Sequence, residues 1–426
     1  MPFPVEIAGV LPPPEAYEVA TETTSVAGGL RVVLAPDPSR RELVAEWIFD
    51  NGARDDPPGQ AGLAHLAEHL SFGVIAPGSA DYDHRLGALG GESHGWTDRE
   101  RSGLGATVPA DDRNFDGLLA LEAQRWSGLV IDEASVARQH RVLAAESAEA
   151  LSAAHALDKF TLDNLLWGPG SAWSRHPQAP VAPSLRAADV LAEWPRLRDP
   201  RRSVLVLAGD MPVDAAARVR AAFAAAPTED APLDTGARDA EVEPCEAGPA
   251  SRSWTRDNVA QGEAYFAWPG PARDHGERVA VEAIARWLGG TRVTAGRDCG
   301  AVVFQRGGGA LRAGEHAARL RRTLAALSAG GLPAPALEAA RAGQLTDLAR
   351  ARGSLALRAR IVAGCVVSSG NADCLRTEAV AWTRLSVEQT RRAAARWLDW
   401  SSVTVLVVLP RSTLLPPPVP GIRLRR

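Results

Sequence analysis

The chain has 426 residues, more than one hydrophobic core usually organises, so two or three domains are expected. Hydrophobic residues make up 46% and charged residues 23%, and no apolar stretch approaches the ~20 residues of a membrane span, which argues against a membrane protein. The small formal net charge of −4 and the scattered basic residues argue against a nucleic-acid partner.

Cysteine usage and the N-terminus together predict a cytoplasmic protein. The cysteines Cys245, Cys299, Cys365 and Cys374 form no C-x-x-C pair, so reduced structural thiols are expected. The first residues carry no basic region, and the prolines at 12–14 interrupt the apolar stretch that a leader would need.

An N-terminal extension is predicted at residues 1–19 and a first α+β domain at 20–225. Its apolar patterns predict strands at 29–35 and 43–49, helices at 112–127 and 133–157, a helix through 191–194 and a buried strand at 203–208.

Residues 226–253 are rich in Pro, Gly and acids and are predicted to be an exposed linker. The second α+β domain, residues 254–410, is predicted to contain strands at 262–268 and 402–408 and helices at 334–352 and 387–398. Both halves open with strands and close with a helix and an apolar strand, which indicates internal duplication. A Pro-rich tail at 411–426 is expected to be extended or loose.

A metal constellation is predicted in the segment GLAHLAEHLSF at residues 62–72, which follows a Pro-Pro-Gly turn. A helix there carries His65 and His69 at i and i+4, so two imidazoles can meet one ion. Glu68 lies between them, where a carboxylate can hold water and act as a general base.

A catalytic zinc site normally takes three protein ligands, so a third ligand must come from elsewhere in the chain. Glu146, in a strongly helical segment, is the predicted ligand, and Glu149 competes for the same role. In the alternative interpretation His65 and His69 lie on an ordinary helix surface and Glu146 is a solvated carboxylate.

The run from Gly52 to Gly73 resembles the inverted zinc motif H-x-x-E-H of the pitrilysin/insulinase superfamily, which includes mitochondrial processing peptidase. Glu146 also matches the position of that family's third ligand. The resemblance extends from about Ala20 to Pro410 and is specific in the first half of the chain and diffuse in the second.

The resemblance implies a fold of two homologous two-layer α/β domains that form half of a clam-like peptidase chamber. It also implies one Zn²⁺ per chain and a processing-peptidase-like metalloendopeptidase that hydrolyses peptides or precursor segments. His65, His69 and Glu146 are then the metal ligands, and Glu68 takes a proton from water and returns it to the departing amine.

Two departures from the family pattern concern the site. Ser93, His94, Gly95 and Trp96 stand where the family usually has Asn-Ala-x-Thr, and they are predicted substrate-binding residues on a strand. His94 either contacts substrate or metal or lies on the strand surface, and Trp96 either lines a pocket or belongs to the core. Gln139 replaces a glutamate that the family often carries, so it is expected to hydrogen-bond near the ligands without adding charge.

The second domain looks shortened where the family often supplies an Arg and a Tyr seven residues apart. The positions seven residues beyond Arg292 and Arg297 hold Cys299 and Phe304, and the one tyrosine after the linker is Tyr265. The resemblance therefore predicts a heterodimer in which a homologous zinc-less subunit supplies the Arg/Tyr pair. The alternatives are a catalytically weak structural subunit of a larger assembly and a zinc-dependent binder that retains peptide without cutting it.

Overall fold

The first half of the chain forms a six-stranded sheet in the order β1-β2-β6-β3-β5-β4. In this computed structural model, residues 12–152, 156–224, 252–257, 259–307 and 312–412 are described. The strands of the first sheet are β1 (Glu22–Ser25), β2 (Arg31–Pro36), β3 (Glu42–Phe49), β4 (Glu92–Thr97), β5 (Ser102–Pro109) and β6 (Ser203–Gly209). Only β2 and β6 pair in parallel, and β4 occupies one edge of the sheet.

The second half repeats this topology in a sheet of five described strands. They are β7 (Arg252–Asp257), β8 (Glu263–Gly270), β9 (Thr291–Ala295), β10 (Gly300–Gly307) and β11 (Thr404–Pro410). Their order, β7-β11-β8-β10-β9, and their directions match those of β2-β6-β3-β5-β4. The predicted fold class of two similar α/β units is therefore confirmed.

Helices connect the strands and cover the sheets. In the first half the structure describes α1 (Leu63–Leu70), α2 (Tyr82–Gly87), α3 (Asp112–Ser127), α4 (Glu133–Ser152), α5 (Ala156–Trp167), α6 (Ala187–Leu197) and α7 (Ala215–Ala222). In the second half it describes α8 (Arg278–Leu288), α9 (Ala313–Gly330), α10 (Ala334–Gly353), α11 (Leu355–Ser369), α12 (Cys374–Arg384) and α13 (Val387–Trp397). The predicted helix at 133–157 is helical wherever it is described, in α4 up to Ser152 and again from Ala156, and residues 153–155 lie outside the described residues.

Strand β3 is buried on both faces, because each face of the first sheet packs against helices. Trp47 belongs to the apolar cluster that includes Leu118 of α3. Val44 and Ile48 point the opposite way and pack in a cluster with Val362 of α11, a helix from the second half. The first sheet is therefore completed by the second half of the chain.

The two halves also meet at equivalent turns. The turn between β4 and β5 contains Glu100, whose carboxylate accepts hydrogen bonds from Nη1 of Arg54 at 2.8 Å, Nη2 of Arg273 at 3.2 Å and the backbone N of Arg297 at 2.8 Å. Arg297 lies in the turn between β9 and β10, the counterpart of the same turn in the second sheet. The buried carboxylate of Glu100 therefore links the first half of the chain to the second half.

The predicted N-terminal extension, linker and tail are only partly covered by the described residues. Most of the predicted linker at 226–253 and nearly all of the tail at 411–426 lie outside the described residues. Within the predicted N-terminal extension, Tyr17 is buried and its hydroxyl donates to the backbone oxygen of Leu345 at 3.1 Å. Among the described helices, none has both the length and the apolarity needed to cross a membrane.

The prediction of reduced thiols is wrong. Cys365 near the end of α11 and Cys374 at the start of α12 form a disulfide, and Cys299 is also disulfide-bonded. The absence of a C-x-x-C pair did not exclude a disulfide, because a helix hairpin brings together cysteines that are 9 positions apart.

Candidate functional site

The start of α1 is fixed by a buried carboxylate and a glycine. The Asp56 carboxylate accepts hydrogen bonds from the backbone N atoms of Gly62 at 2.7 Å and Ala64 at 2.9 Å, so it pairs amides that a helix start leaves free. Gly62 has φ of +84°, and a Cβ there would lie 2.8 Å from Cγ2 of Val181. These contacts orient the helix that carries His65, Glu68 and His69.

His65 and His69 lie one helical turn apart on α1, and Glu146 reaches the same point from α4. Oε2 of Glu146 lies 3.7 Å from Nε2 of His65 and 3.5 Å from Nε2 of His69. The three potential ligand atoms all lie within 4.8 Å of one another. Glu149, one turn further along α4, is outside this cluster.

The donor set and its spacing suit zinc. Two imidazoles and one carboxylate form a common catalytic zinc site, and ligand atoms about 2.0–2.1 Å from a tetrahedral ion lie roughly 3.4 Å apart. The distances from Glu146 to the two imidazoles are close to that value. The side chain of Glu146 is 47% exposed, whereas those of His65 and His69 are 14% and 16% exposed, so the cluster opens to solvent on one side.

Glu68 lies beside the cluster in a position that suits a base. Its Oε2 is 3.9 Å from Nε2 of His65 and accepts a hydrogen bond from Oγ1 of Thr97 at 2.7 Å. Burial raises the pKa of the Glu68 carboxyl, although the Thr97 hydrogen bond and the nearby His69 partly offset the rise. A carboxylate with a raised pKa is a stronger proton acceptor than an ordinary one and can take a proton from water and release it again.

The surroundings keep lone pairs available for a metal. Oε1 of Gln139 lies 3.3 Å from Nδ1 of His69, which favours the tautomer in which Nδ1–H donates and Nε2 is free to bind an ion. Burial lowers the pKa of His65 to about 4, with a further contribution from His69, so the His65 imidazole is neutral at pH 7. Neutral imidazoles are the form that binds metals.

Strand β4 presents alternate residues to α1. Gly95 and Thr97 face Glu68, and a Cβ on Gly95 would lie 2.3 Å from Oε1 of Glu68. Oγ of Ser93 donates to Oδ1 of Asp83 on α2 at 2.5 Å. Of the predicted substrate-binding residues, Gly95 thus comes closest to the predicted base.

His94 and Trp96 face the opposite side of the sheet, as the alternation of a strand requires. Nε2 of His94 lies 3.1 Å from Oε2 of the fully buried Glu46, and the guanidinium carbon of Arg360 lies 4.8 Å from the centroid of the Trp96 ring. His94 is therefore remote from the ligand cluster, and Trp96 lines a cavity between the halves.

Sequence reasoning missed two residues that shape the site, Thr97 and Asp56. Thr97 was detectable, because it is two positions beyond Gly95 on a strand and must share its face. Asp56 had a weaker signal, since an acidic residue six positions before Gly62 does not match a standard helix cap.

The second half offers no free phenol near β9 and β10 among the described residues. The hydroxyl of the buried Tyr265 donates to Oε2 of Glu263 at 2.8 Å. Phe304 is buried, Cys299 is disulfide-bonded, and Arg297 pairs with Asp50.

The first half matches a known peptidase family in sequence. The sequence model of "Insulinase (Peptidase family M16)" matches residues 31–166, a range that contains all four residues of the predicted zinc site. No curated protein matches the whole sequence significantly.

Solved structures are similar over most of the chain. A protease from Helicobacter pylori has a TM-score of 0.80 at 17% identity and covers 92% of this chain and 100% of its own. An inactive peptidase M16 domain from Pseudomonas fluorescens has a TM-score of 0.76 at 18% identity, with 94% and 100% covered. The first half of the periplasmic protease PqqL from Escherichia coli has a TM-score of 0.72 at 14% identity, with 91% and 92% covered. At these identities the similarity shows a shared fold.

Proposed function

We propose that this chain, which is related to the pitrilysin/insulinase superfamily, is a zinc-dependent endopeptidase subunit acting on peptides or precursor segments. The observation that carries the proposal is the position of Glu68 beside a cluster formed by His65, His69 and Glu146. A structural protein has no physical need of a buried carboxylate next to three clustered potential metal ligands.

Each residue has a distinct role in this proposal. His65, His69 and Glu146 hold one Zn²⁺, which when bound polarises the scissile carbonyl and lowers the pKa of water. Glu68 takes the proton of the attacking water and passes it to the leaving amine. Thr97 fixes the Glu68 carboxylate through its hydrogen bond.

An extended peptide is the substrate that fits the fold. Strand β4 is an edge strand, so its free backbone groups can pair with a peptide as an added strand. Gly95 leaves room beside Glu68 on the face of β4 that points to α1.

A homologous zinc-less partner would complete the site. The described second half offers no phenol to stabilise developing negative charge, because Tyr265 is buried against Glu263. Removing one such donor typically costs about 10²–10³ in rate, so the lone chain should be slow. The decisive comparison is peptide hydrolysis by the chain alone and with a homologous zinc-less chain added, and full activity of the lone chain would oppose the heterodimer.

The second candidate is a catalytically weak subunit, which the similarity to an inactive M16 domain favours.

The cytoplasmic location predicted from sequence depended on reduced thiols, whereas the disulfide between Cys365 and Cys374 favours an oxidising compartment. We therefore place the proposed peptidase in such a compartment.

The experiment that tests the function combines metal analysis with Glu68→Gln. The purified chain should contain about one zinc, cut peptides from a mixed library when its partner is present, and lose both properties with a chelator. Glu68→Gln should retain zinc and lose hydrolysis, because the amide cannot accept the proton. Zinc-loaded protein that leaves every peptide intact would favour the weak-subunit alternative, and loss of zinc in Glu68→Gln would contradict the assignment of a base.

A further inference from the structure

A cavity of about 850 Å³ lies between the two halves of the chain. Trp96 and Arg101 line it from the first sheet, and Arg273 and Ser368 line it from the second half. It opens on the face of β4 that points away from Glu68. The cavity is therefore separate from the proposed metal site and adjacent to the same edge strand.

Five arginines line the cavity together with four acidic residues, Asp98, Asp274, Glu282 and Glu378. Three lining arginines already pair with carboxylates: Arg278 with Glu282 and Glu378, Arg286 with Asp347, and Arg360 with Glu46. Among the described residues, Arg101 pairs with no carboxylate. Its Nε is buried without a hydrogen-bond partner, so this guanidinium retains donor capacity.

Arg101 and Arg273 converge on one hydroxyl. Both guanidinium groups donate to Oγ of Ser368, and the Arg273 bond measures 3.3 Å. Arg273 also contacts Glu100, but that carboxylate is shared with several other donors. Asp98 lines the cavity too, yet its Oδ1 is occupied by the backbone N atoms of Glu100 and Arg101 at 2.7 Å each. Two guanidiniums this close form a strong binding site for a carboxylate.

Because successive residues of a strand face opposite sides of a sheet, a peptide paired with β4 would direct some of its side chains toward the cavity face. Arg101, Gly103 and Gly105 share one face of the first sheet with Trp96, which lies directly over Gly103. A peptide paired with β4 would send every second side chain toward this face and the others toward Glu68. A peptide paired with β4 would lie two strand spacings, about 9.6 Å, from β5. One extended Arg side chain and one extended Glu side chain together span that distance.

We propose that Arg101 and Arg273 bind a carboxylate of the peptide lying along β4, so that the cavity selects peptides with an acidic side chain next to the residue that faces Glu68. This specificity rests on the proposed function, because it assumes that peptide pairs with β4. The carboxylate of a peptide C-terminus has the same chemistry, and the experiment separates the two sources.

Peptide binding is measured on the full-length, zinc-loaded Glu68→Gln variant, which under the proposed function binds peptide without cutting it. The probes are fluorescein-labelled peptides with amidated C-termini in which a single Glu is moved along the sequence, each matched with a Gln version. A further pair lacks Glu and differs only in a free or amidated C-terminus. At one register the Glu peptide should bind about tenfold more tightly than its Gln counterpart.

Variants in the same background test which residues cause the preference. Arg101→Gln should reduce the Glu/Gln affinity ratio to roughly one, since the charge-assisted bonds to the Glu peptide are lost. Ser368→Ala removes the shared hydroxyl but keeps both guanidiniums, so the preference should survive. Arg392→Gln, at a side chain that is 60% exposed on α13, is the matched surface control. If Arg101→Gln unfolds, Arg273→Gln provides the same comparison.

The outcomes separate this inference from the proposed function. Equal affinity for Glu and Gln peptides at every register and for both C-termini would overturn the subsite, as would a preference that persists in both arginine variants. A preference confined to the free C-terminus would support the carboxylate site and assign it to that terminus. Hydrolysis by the wild-type chain together with its homologous partner is assayed in parallel, so a failure of the peptidase proposal appears there while the binding ratio still reports on the cavity.

Discussion

Gly95 leaves the space that the Glu68 carboxylate occupies. A Cβ at this position would lie 2.3 Å from Oε1 of Glu68 and 2.8 Å from the Phe72 ring, so Gly95→Ala must displace the base. A misplacement of about 1 Å can cost roughly 10² in rate, and we expect a loss of this order in kcat with zinc content unchanged. Gly87→Ala is the control, because a Cβ there meets no atom within 4 Å. Full activity of Gly95→Ala would contradict the expectation that the reaction depends on this position of the Glu68 carboxylate.

Glu146 and Glu149 differ in reach although they share a helix. Only Glu146 approaches His65 and His69, so Glu146→Gln should weaken zinc binding by at least about tenfold and Glu149→Gln should leave it unchanged. Competition with a chromogenic chelator measures both affinities. Equal weakening in the two variants, or the reverse order, would contradict the ligand assignment.

The contribution of Asp56, at the start of α1, to stability depends on pH. Burial raises the pKa of Asp56 to about 7 from its ordinary value of 3.8, even though two backbone amides donate to it. Because the folded protein holds this proton more tightly than the unfolded chain, the contribution of Asp56 to stability is complete below pH 3.8 and is lost as the pH rises through about 7.

The change that tests this coupling is Asp56→Asn in the metal-free protein. The free energy of unfolding of the wild type should fall between pH 4 and pH 7 relative to that of the variant, with a slope of up to about 1.4 kcal/mol per pH unit. Urea titrations at several pH values provide the measurement. Parallel pH profiles for the two proteins would mean that Asp56 keeps its ordinary pKa.

The first sheet cannot bury both of its faces without the second half. Val44 and Val206 lie in one apolar cluster with Leu355, Val362 and Val366 of α11. Residues 20–224 expressed alone should therefore aggregate or bind a hydrophobic dye strongly, because each fully buried Val or Leu contributes about 1.5–3 kcal/mol. Size-exclusion chromatography beside the full chain provides the check. A monomeric fragment that unfolds cooperatively would show that the first half folds independently.

At the scale of the whole molecule, the repeat explains where the two halves differ. Both sheets share the strand order, yet two described helices, α1 and α2, lie between β3 and β4, whereas one, α8, lies between β8 and β9. The equivalent turns at Glu100 and Arg297 contact each other, so the duplication also provides a contact between the halves. The first half carries the candidate metal site, and the second half forms part of the wall of the cavity between the two halves.

Features that depend on spacing along the chain could be predicted from the amino-acid sequence. The i, i+4 spacing of His65 and His69 predicted one helical face, and the repeated pattern of strands and helices predicted two similar α/β units. These features follow from the geometry of the helix and the strand, which a short segment carries within itself.

Contacts between residues that are distant in the chain became known from the folded structure. It brought Glu146 rather than Glu149 to the two imidazoles, turned His94 toward Glu46, and joined Cys365 to Cys374. Each of these contacts depends on how elements pack against one another, and that packing is a property of the whole core rather than of any local spacing.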